Sequence, residues 1–265
     1  MKKSKTPTFL LELPLRVDAG QAKRLHAHFE AARCFYNALL GEAMKRLRAM
    51  RADPAWQEAR AIPQAHKQER KEAFARLRQV HGFSEYALHE FAKEANCSWI
   101  ADHIDSVMAQ TLATRAYQAA NRVCRGLAKK VRFKSKGRGL DSVENKWSKS
   151  GLRFLLQQPA EGNQGWLLWG KDRLAALIDW HDPVVHHGLK QPIKYARLVR
   201  RKAQTPDDDS PTRNASWRLI ARVYMGDWCI RSSVVATPFG PRSSPTRPGR
   251  NSMARVWDAT PQGCS

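Results

Sequence analysis

Residues 8–17, Thr-Phe-Leu-Leu-Glu-Leu-Pro-Leu-Arg-Val, read as one strand, and no second strand signal appears before residue 127. A single strand cannot satisfy its own backbone hydrogen bonds, so it must find partners far along the chain. Pro14 lacks a backbone N–H and places the strand at an edge or a bulge. What separates the strand from its partners is helical. The simplest architecture is α+β: a small β-barrel interrupted by a helical bundle inserted between its first and second strands.

The helical reading rests on apolar spacing. Asp18 sits at an N-cap position, and Leu25, Phe29, Ala32, Tyr36, Leu39, Ala43, Leu47 and Met50 recur at steps of three and four, predicting one long helix to about Met50. The opposite face carries Lys23, Arg24, Arg33, Lys45, Arg46 and Arg48. After Pro54 and Pro63, a second helix is expected from about Gln64 to Val80, ended by Gly82. A third follows from Ser84 to about Ala95, and a fourth from Ser98 to about Arg125, with Gly126 just past its end. In that fourth helix Asp102, His103 and Asp105 read as the outer face.

Beyond Gly126 short apolar runs alternate with turn signals: 152–156, 166–169, 176–180, 193–199 and 217–224. Gly162-Asn163-Gln164-Gly165 reads as the turn of a hairpin between 152–158 and 166–169. The expected partition is 1–18 as first barrel strand, 19–126 as helical insertion and 127–228 as the rest of the barrel. Residues 229–265, rich in Ser, Pro and Arg and free of Lys, read as a disordered or out-of-frame tail.

Charge narrows the partner. Lys and Arg number 46 against 24 acids, a net +22 with a pI near 10.3. Such an excess repels itself unless a polyanion neutralises it, and each phosphate bound releases a counterion. Nucleic acid is therefore the expected partner. The basic start is followed by an apolar stretch broken at Glu12, Pro14 and Arg16, which is neither a signal peptide nor a membrane span. Five scattered cysteines with no C-x-x-C pair argue against a zinc ribbon and against a disulfide scaffold. A cytoplasmic protein that does not engage membranes is the expectation.

Two strips are candidate binding residues. The first is Lys129, Lys130, Arg132, Lys134, Lys136 and Arg138, six cations with no acid among them and with Phe133 between. Cations on a glycine-containing segment can grip phosphates while an aromatic stacks. The second runs through Lys190, Lys194, Arg197, Arg200, Arg201 and Lys202; strand parity would put Lys194, Arg200 and Lys202 on one face and Arg197 and Arg201 on the other. The competing reading is a strand edge kept soluble by charge.

Catalytic patterns are missing from the sequence. It contains no complete G-x-x-x-x-G-K-[ST], since Gly165–Lys171 is followed by Asp172, and no G-x-S-x-G or H-E-x-x-H. His181, His186 and His187, with Asp179 and Asp182 nearby, read as surface-loop residues rather than metal ligands. No catalytic and no metal-ligating residue is assigned.

The order of these features resembles the TnpB-type transposon-encoded, RNA-guided nucleases, relatives of the compact type V CRISPR effectors. The resemblance is carried by the opening basic strand Leu10–Val17, by Arg33-Cys34-Phe35-Tyr36-Asn37-Ala38-Leu39-Leu40 and by Arg132-Phe133-Lys134-Ser135-Lys136, and it covers roughly residues 8–226. It implies a wedge-like β-barrel with a helical recognition insertion, which binds a guide RNA and target DNA. It also adds Arg33 and Asn37 as binding candidates, with bracing of the barrel as Asn37's alternative role. In that family a RuvC-like domain with three acidic metal ligands and a zinc ribbon follows the barrel. Here no Gly-apolar-Asp-x-Gly strand follows it, and no Glu occurs after Glu161. The expectation is a truncated or frameshifted recognition module that cannot cut alone, with Mg²⁺ and Zn²⁺ belonging only to the missing domain. Alternatives are a split nuclease whose RuvC-like domain is a separate polypeptide, and a basic RNA- or DNA-binding protein without a guide.

Overall fold

The computed structural model describes residues 8–147, 151–157, 164–202 and 215–224. Strand β1 (Thr8–Arg16) is followed by five helices before the next strand: α1 (Ala19–Ala52), α2 (Pro54–Ala61), α3 (Lys67–Val80), α4 (Glu85–Ala95) and α5 (Ser106–Cys124). Then come β2 (Ser142–Glu144), β3 (Arg153–Leu156), β4 (Gly165–Trp169), β5 (Asp172–Ala176), α6 (Pro183–Leu189), β6 (Ile193–Lys202) and β7 (Ala215–Tyr224).

The strands form one antiparallel sheet in the order β2-β6-β7-β1-β5-β4-β3. The first strand in sequence is therefore the middle strand in space. It does so by changing partners: Thr8–Pro14 pair with β7, while Leu15 and Arg16 pair with Ala176 and Ala175 of β5. Pro14, without an N–H to give, lies where the strand changes partners. The resulting sheet is a curled half-barrel, and among the described residues no ladder joins its end strands β2 and β3.

Helix α1 ties the insertion to the sheet. Asp18 and Gln21 form a reciprocal capping box that fixes its start directly after β1. Phe29, buried, meets the rings of Trp169 on β4 and Trp217 on β7 edge-to-face at 5.8 and 5.2 Å. Further along, Leu39, Leu40 and Leu47 join the same continuous core as Leu112, Ala113 and Ala116 of α5. The sheet contributes Leu11, Leu13, Leu167, Leu174, Leu198, Leu219 and Val223.

The helical periodicity and the interrupted-sheet topology match the sequence expectation, with several differences in detail. Pro54 starts a helix rather than separating two: Asp53 caps it, accepting from the Ala55 N–H, and proline is well placed in a first turn. The fourth helix of the expectation begins at Ser106, not Ser98, because Asp105 is the cap, accepting from Val107 and Met108. The carbonyls that a continuous helix would use are taken: Trp169 Nε1 donates to His103 O, and Asn96 Nδ2 to Ile104 O. His103 consequently faces His28 of α1, Nδ1 to Nδ1 at 3.0 Å, instead of lying on an outer face.

In the β region, the expected strand 176–180 is displaced to Asp172–Ala176, because Gly170, at φ +59°, makes a tight turn out of β4. His186 and His187 are in helix α6, capped by Asp182, and not in a loop. The 152–158/166–169 hairpin forms with Phe154 opposite Leu167; residues 158–163 of its turn lie outside the described residues. The tail expected at 229–265 also lies outside them. Among the described residues, no helix is long and apolar enough to cross a membrane.

Candidate nucleic-acid interface

The segment between α5 and β2 carries the first basic strip. It forms no regular element; it is laid along α1 and tied there by hydrogen bonds between α1 side chains and its own backbone. Asn37 Nδ2 donates to the carbonyl of Lys134 at 2.8 Å, and Lys134 N–H donates back to Asn37 Oδ1 at 2.8 Å. One side-chain amide thus pairs with the N–H and the C=O of one residue, as a neighbouring strand would. Arg33 Nη1 adds a third bond to the same carbonyl at 2.9 Å. These bonds join the two motifs that carry the family resemblance.

Arg33 is steadied from the other side. Its guanidinium meets both carboxylate oxygens of Glu30, at 2.6 and 2.9 Å. The Arg33 hydrogen bond, aided by the nearby Arg33 and Lys136 charges, holds Glu30 below the ordinary carboxylate range; the bond to Glu30 raises Arg33 in turn. Arg33 and Asn37 therefore spend their polar groups on the protein, so the structure places them as braces of the strip, and the brace the sequence set on the barrel falls on this segment instead.

The chain then turns back on itself. Gly139 N–H donates to Ser135 O at 2.8 Å, with Gly139 at φ +63°, a conformation that a side chain would strain. Lys129, Lys130, Arg132, Lys136 and Arg138 are exposed and Lys134 is half-buried. Phe133 is 55% exposed on the same segment. The tether uses the backbone of Lys134, so the strip's cations remain turned to solvent.

His26, Glu30, Arg33 and Asn37 stand at steps of four, three and four, forming one polar stripe along α1 beneath the strip. His26 was missed in sequence, although this spacing marks it. At its end of the stripe lies a cavity of about 250 Å³ lined by His26, Phe29, Glu30, Lys136, Gly139, Leu140 and Arg200. Arg200 reaches it from β6, its Nη1 3.4 Å from His26 Nδ1 and its guanidinium over the Phe29 ring. Burial first, and then the Arg200 charge, push the His26 imidazole below its ordinary value.

The second strip does not form one face. The register slips between Ile193 and Tyr195, so Lys194 sits at a bulge and loses its parity with Arg200. Arg200 shares the side of Ala196 and Leu198, both buried, which directs it to α1. Arg197 and Arg201 point to the other side, as expected, but pair with Glu144 at 2.7 Å and Glu12 at 3.1 Å. Lys190 caps the end of α6 and is exposed. Lys202 pairs opposite Ala215 through its backbone, and its side chain lies outside the described residues.

No protein-family model and no curated protein matches this sequence.

Proposed function

We propose that this chain is the nucleic-acid-recognition module of a TnpB-type, RNA-guided nuclease, the half-barrel and its helical insertion forming the family's wedge-like barrel. Its partners in this reading are a guide RNA and target DNA. Sequence would be read by base pairing, while the protein holds the backbone electrostatically. The observation that carries the reading is the strip 129–138, whose cations face solvent while Asn37 and Arg33 hold its backbone. A net charge of +22 supports it.

Cutting would fall to a RuvC-like domain, on a further segment or a separate polypeptide. Among the described residues no three His, Cys, Asp or Glu side chains form a metal-binding group, and no metal-dependent step is assigned to them.

The test is purification followed by sequencing of bound RNA, and binding isotherms over a range of salt. A discrete co-purifying RNA supports the guided reading; a heterogeneous mixture points to a basic binder without a guide. Reversing Lys130, Arg132 and Arg138 together to Glu should weaken binding to all sequences. Loss of about three phosphate contacts should flatten the slope of log K against log salt by roughly two to three. No binding of RNA or DNA near physiological salt refutes the proposal.

A further inference from the structure

We infer that the cavity between the strip, α1 and β6 seats a phosphate group of the bound strand, gripped by Lys136, Arg200 and His26, and that His26 takes up a proton when it fills. This deepens the nucleic-acid reading and rests on it.

The geometry brings three potential cations to one concave site from three elements: His26 from α1, Lys136 from the strip and Arg200 from β6. The acid lining it is Glu30, which is engaged by Arg33. Among the described residues neither Lys136 nor Arg200 forms a salt bridge. Arg200 is held in place by apolar and steric contacts instead. It lies over the Phe29 ring, and Gly139 leaves room for it, since a Cβ there would stand 2.8 Å from Arg200 Nη2. The His26 ring is fixed edge-on against Trp217 at 5.6 Å. A cavity of about 250 Å³ readily accommodates a phosphate group.

The protonation coupling follows from the Arg200–His26 contact. Arg200 has only donors, so at 3.4 Å its partner Nδ1 must be the unprotonated nitrogen of a neutral imidazole. Burial and the guanidinium both favour that neutral form. A phosphate between the two groups reverses the balance. Its negative charge favours the imidazolium: Nδ1, which accepts Arg200's hydrogen while unprotonated, gains a proton from solvent and as Nδ1–H donates to the anion. Groups facing His26 from the surrounding elements are Glu30 on its own helix, Lys136 and Arg200.

The experiment follows the His26 ring proton by NMR across the neutral and mildly acidic range in the full chain. It is recorded alone, with inorganic phosphate, and with single-stranded RNA oligonucleotides bearing either a terminal phosphate or a terminal hydroxyl. The expected result is a rise of the His26 midpoint by about one pH unit on RNA binding, equivalent to roughly tenfold stronger binding at the acid end than at the alkaline end. His26→Gln, at an exposed position, should abolish that pH dependence, and Arg200→Gln should raise the midpoint of the free protein while shrinking its rise on binding. A rise with both oligonucleotides assigns the seat to a backbone diester; a rise only with the terminal phosphate assigns it to a strand end. Response to inorganic phosphate but to neither oligonucleotide overturns the strand-bound seat. RNA binding that depends on Arg132 and Lys130 yet leaves the His26 midpoint unmoved overturns the inference while sparing the broader reading. If no oligonucleotide binds, the broader reading fails, and an unmoved midpoint in inorganic phosphate refutes the seat as well.

Discussion

Replacing Asn37 by alanine removes both hydrogen bonds that clamp the N–H and the C=O of Lys134, each 2.8 Å long. The Lys134 carbonyl keeps its bond from Arg33, but its N–H is left without its partner. At roughly 1 kcal/mol net for each bond, docking of the strip should weaken by about 2 kcal/mol. Helix α1 itself is not harmed, because alanine is the better helix former. Amide exchange at Lys134 should therefore accelerate by roughly thirtyfold, since about 1.4 kcal/mol corresponds to a factor of ten. Oligonucleotide affinity should fall several-fold, up to about the same factor, because only the docked fraction is competent to bind. The salt slope should not change, since no cation has been removed. The exchange is read by NMR and the affinity by fluorescence anisotropy over a salt series. Unchanged Lys134 exchange, or a slope that flattens as it does on charge reversal, would refute the clamp as the device that presents the strip.

Acid should loosen the junction between insertion and sheet. His28 stacks on Trp169 at 4.5 Å, contacts His103 and lies 3.4 Å from Asp172; burial chiefly, and then the His103 charge, depress its imidazole below the ordinary 6.5. The folded state then binds fewer protons than the unfolded chain, so stability is complete above the unfolded value and declines as pH falls below it. Tm should drop between roughly pH 7 and pH 5.5, a window above the carboxylate titrations, and His28→Gln should flatten that decline. A Tm profile with the same slope in both proteins would exclude His28 as its source. Gly151→Ala should destabilise the fold by about 2 kcal/mol, or roughly 4–8 °C in Tm. The position has φ +63°, and a Cβ there collides with the Asp105 carboxylate that caps α5. A Tm within a degree or so of the parent would show that the cap is dispensable.

How far the sequence could be read depends on whether the information was local. The periodicity of Leu25 through Met50 and the isolated strand 8–17 are local signals, and both match the observed elements. The choice between Ser98 and Asp105 as helix cap was not local. Both residues can cap, and the decision came from Trp169, a strand residue that takes the His103 carbonyl. Lys194 illustrates a different limit: a single bulged residue inverts the facing of every earlier position, and no side chain in Ile193–Tyr195 announces it. Asn37 was visible as a motif but not as a clamp, because its partner stands 97 residues away.

The manner of that clamp bears on why a cationic strip can lie beside a helix face that itself carries Arg33. The strip's cations and Arg33 repel one another and cannot by themselves hold the two together. Glu30 offsets Arg33, whose Nη1 donates to the Lys134 carbonyl, and the other two bonds run between a neutral side-chain amide and the Lys134 backbone. Because Lys134 contributes its backbone to the tether, the ammonium and guanidinium groups along the strip are not consumed by folding and stay available to an anion. Presentation and attraction thus reside in different atoms. Asn37→Ala should alter the first without the salt dependence, and reversal of Lys130, Arg132 and Arg138 the second without Lys134 exchange. A strip held by its own cations could not separate in that way, because every change that freed it would also change its charge.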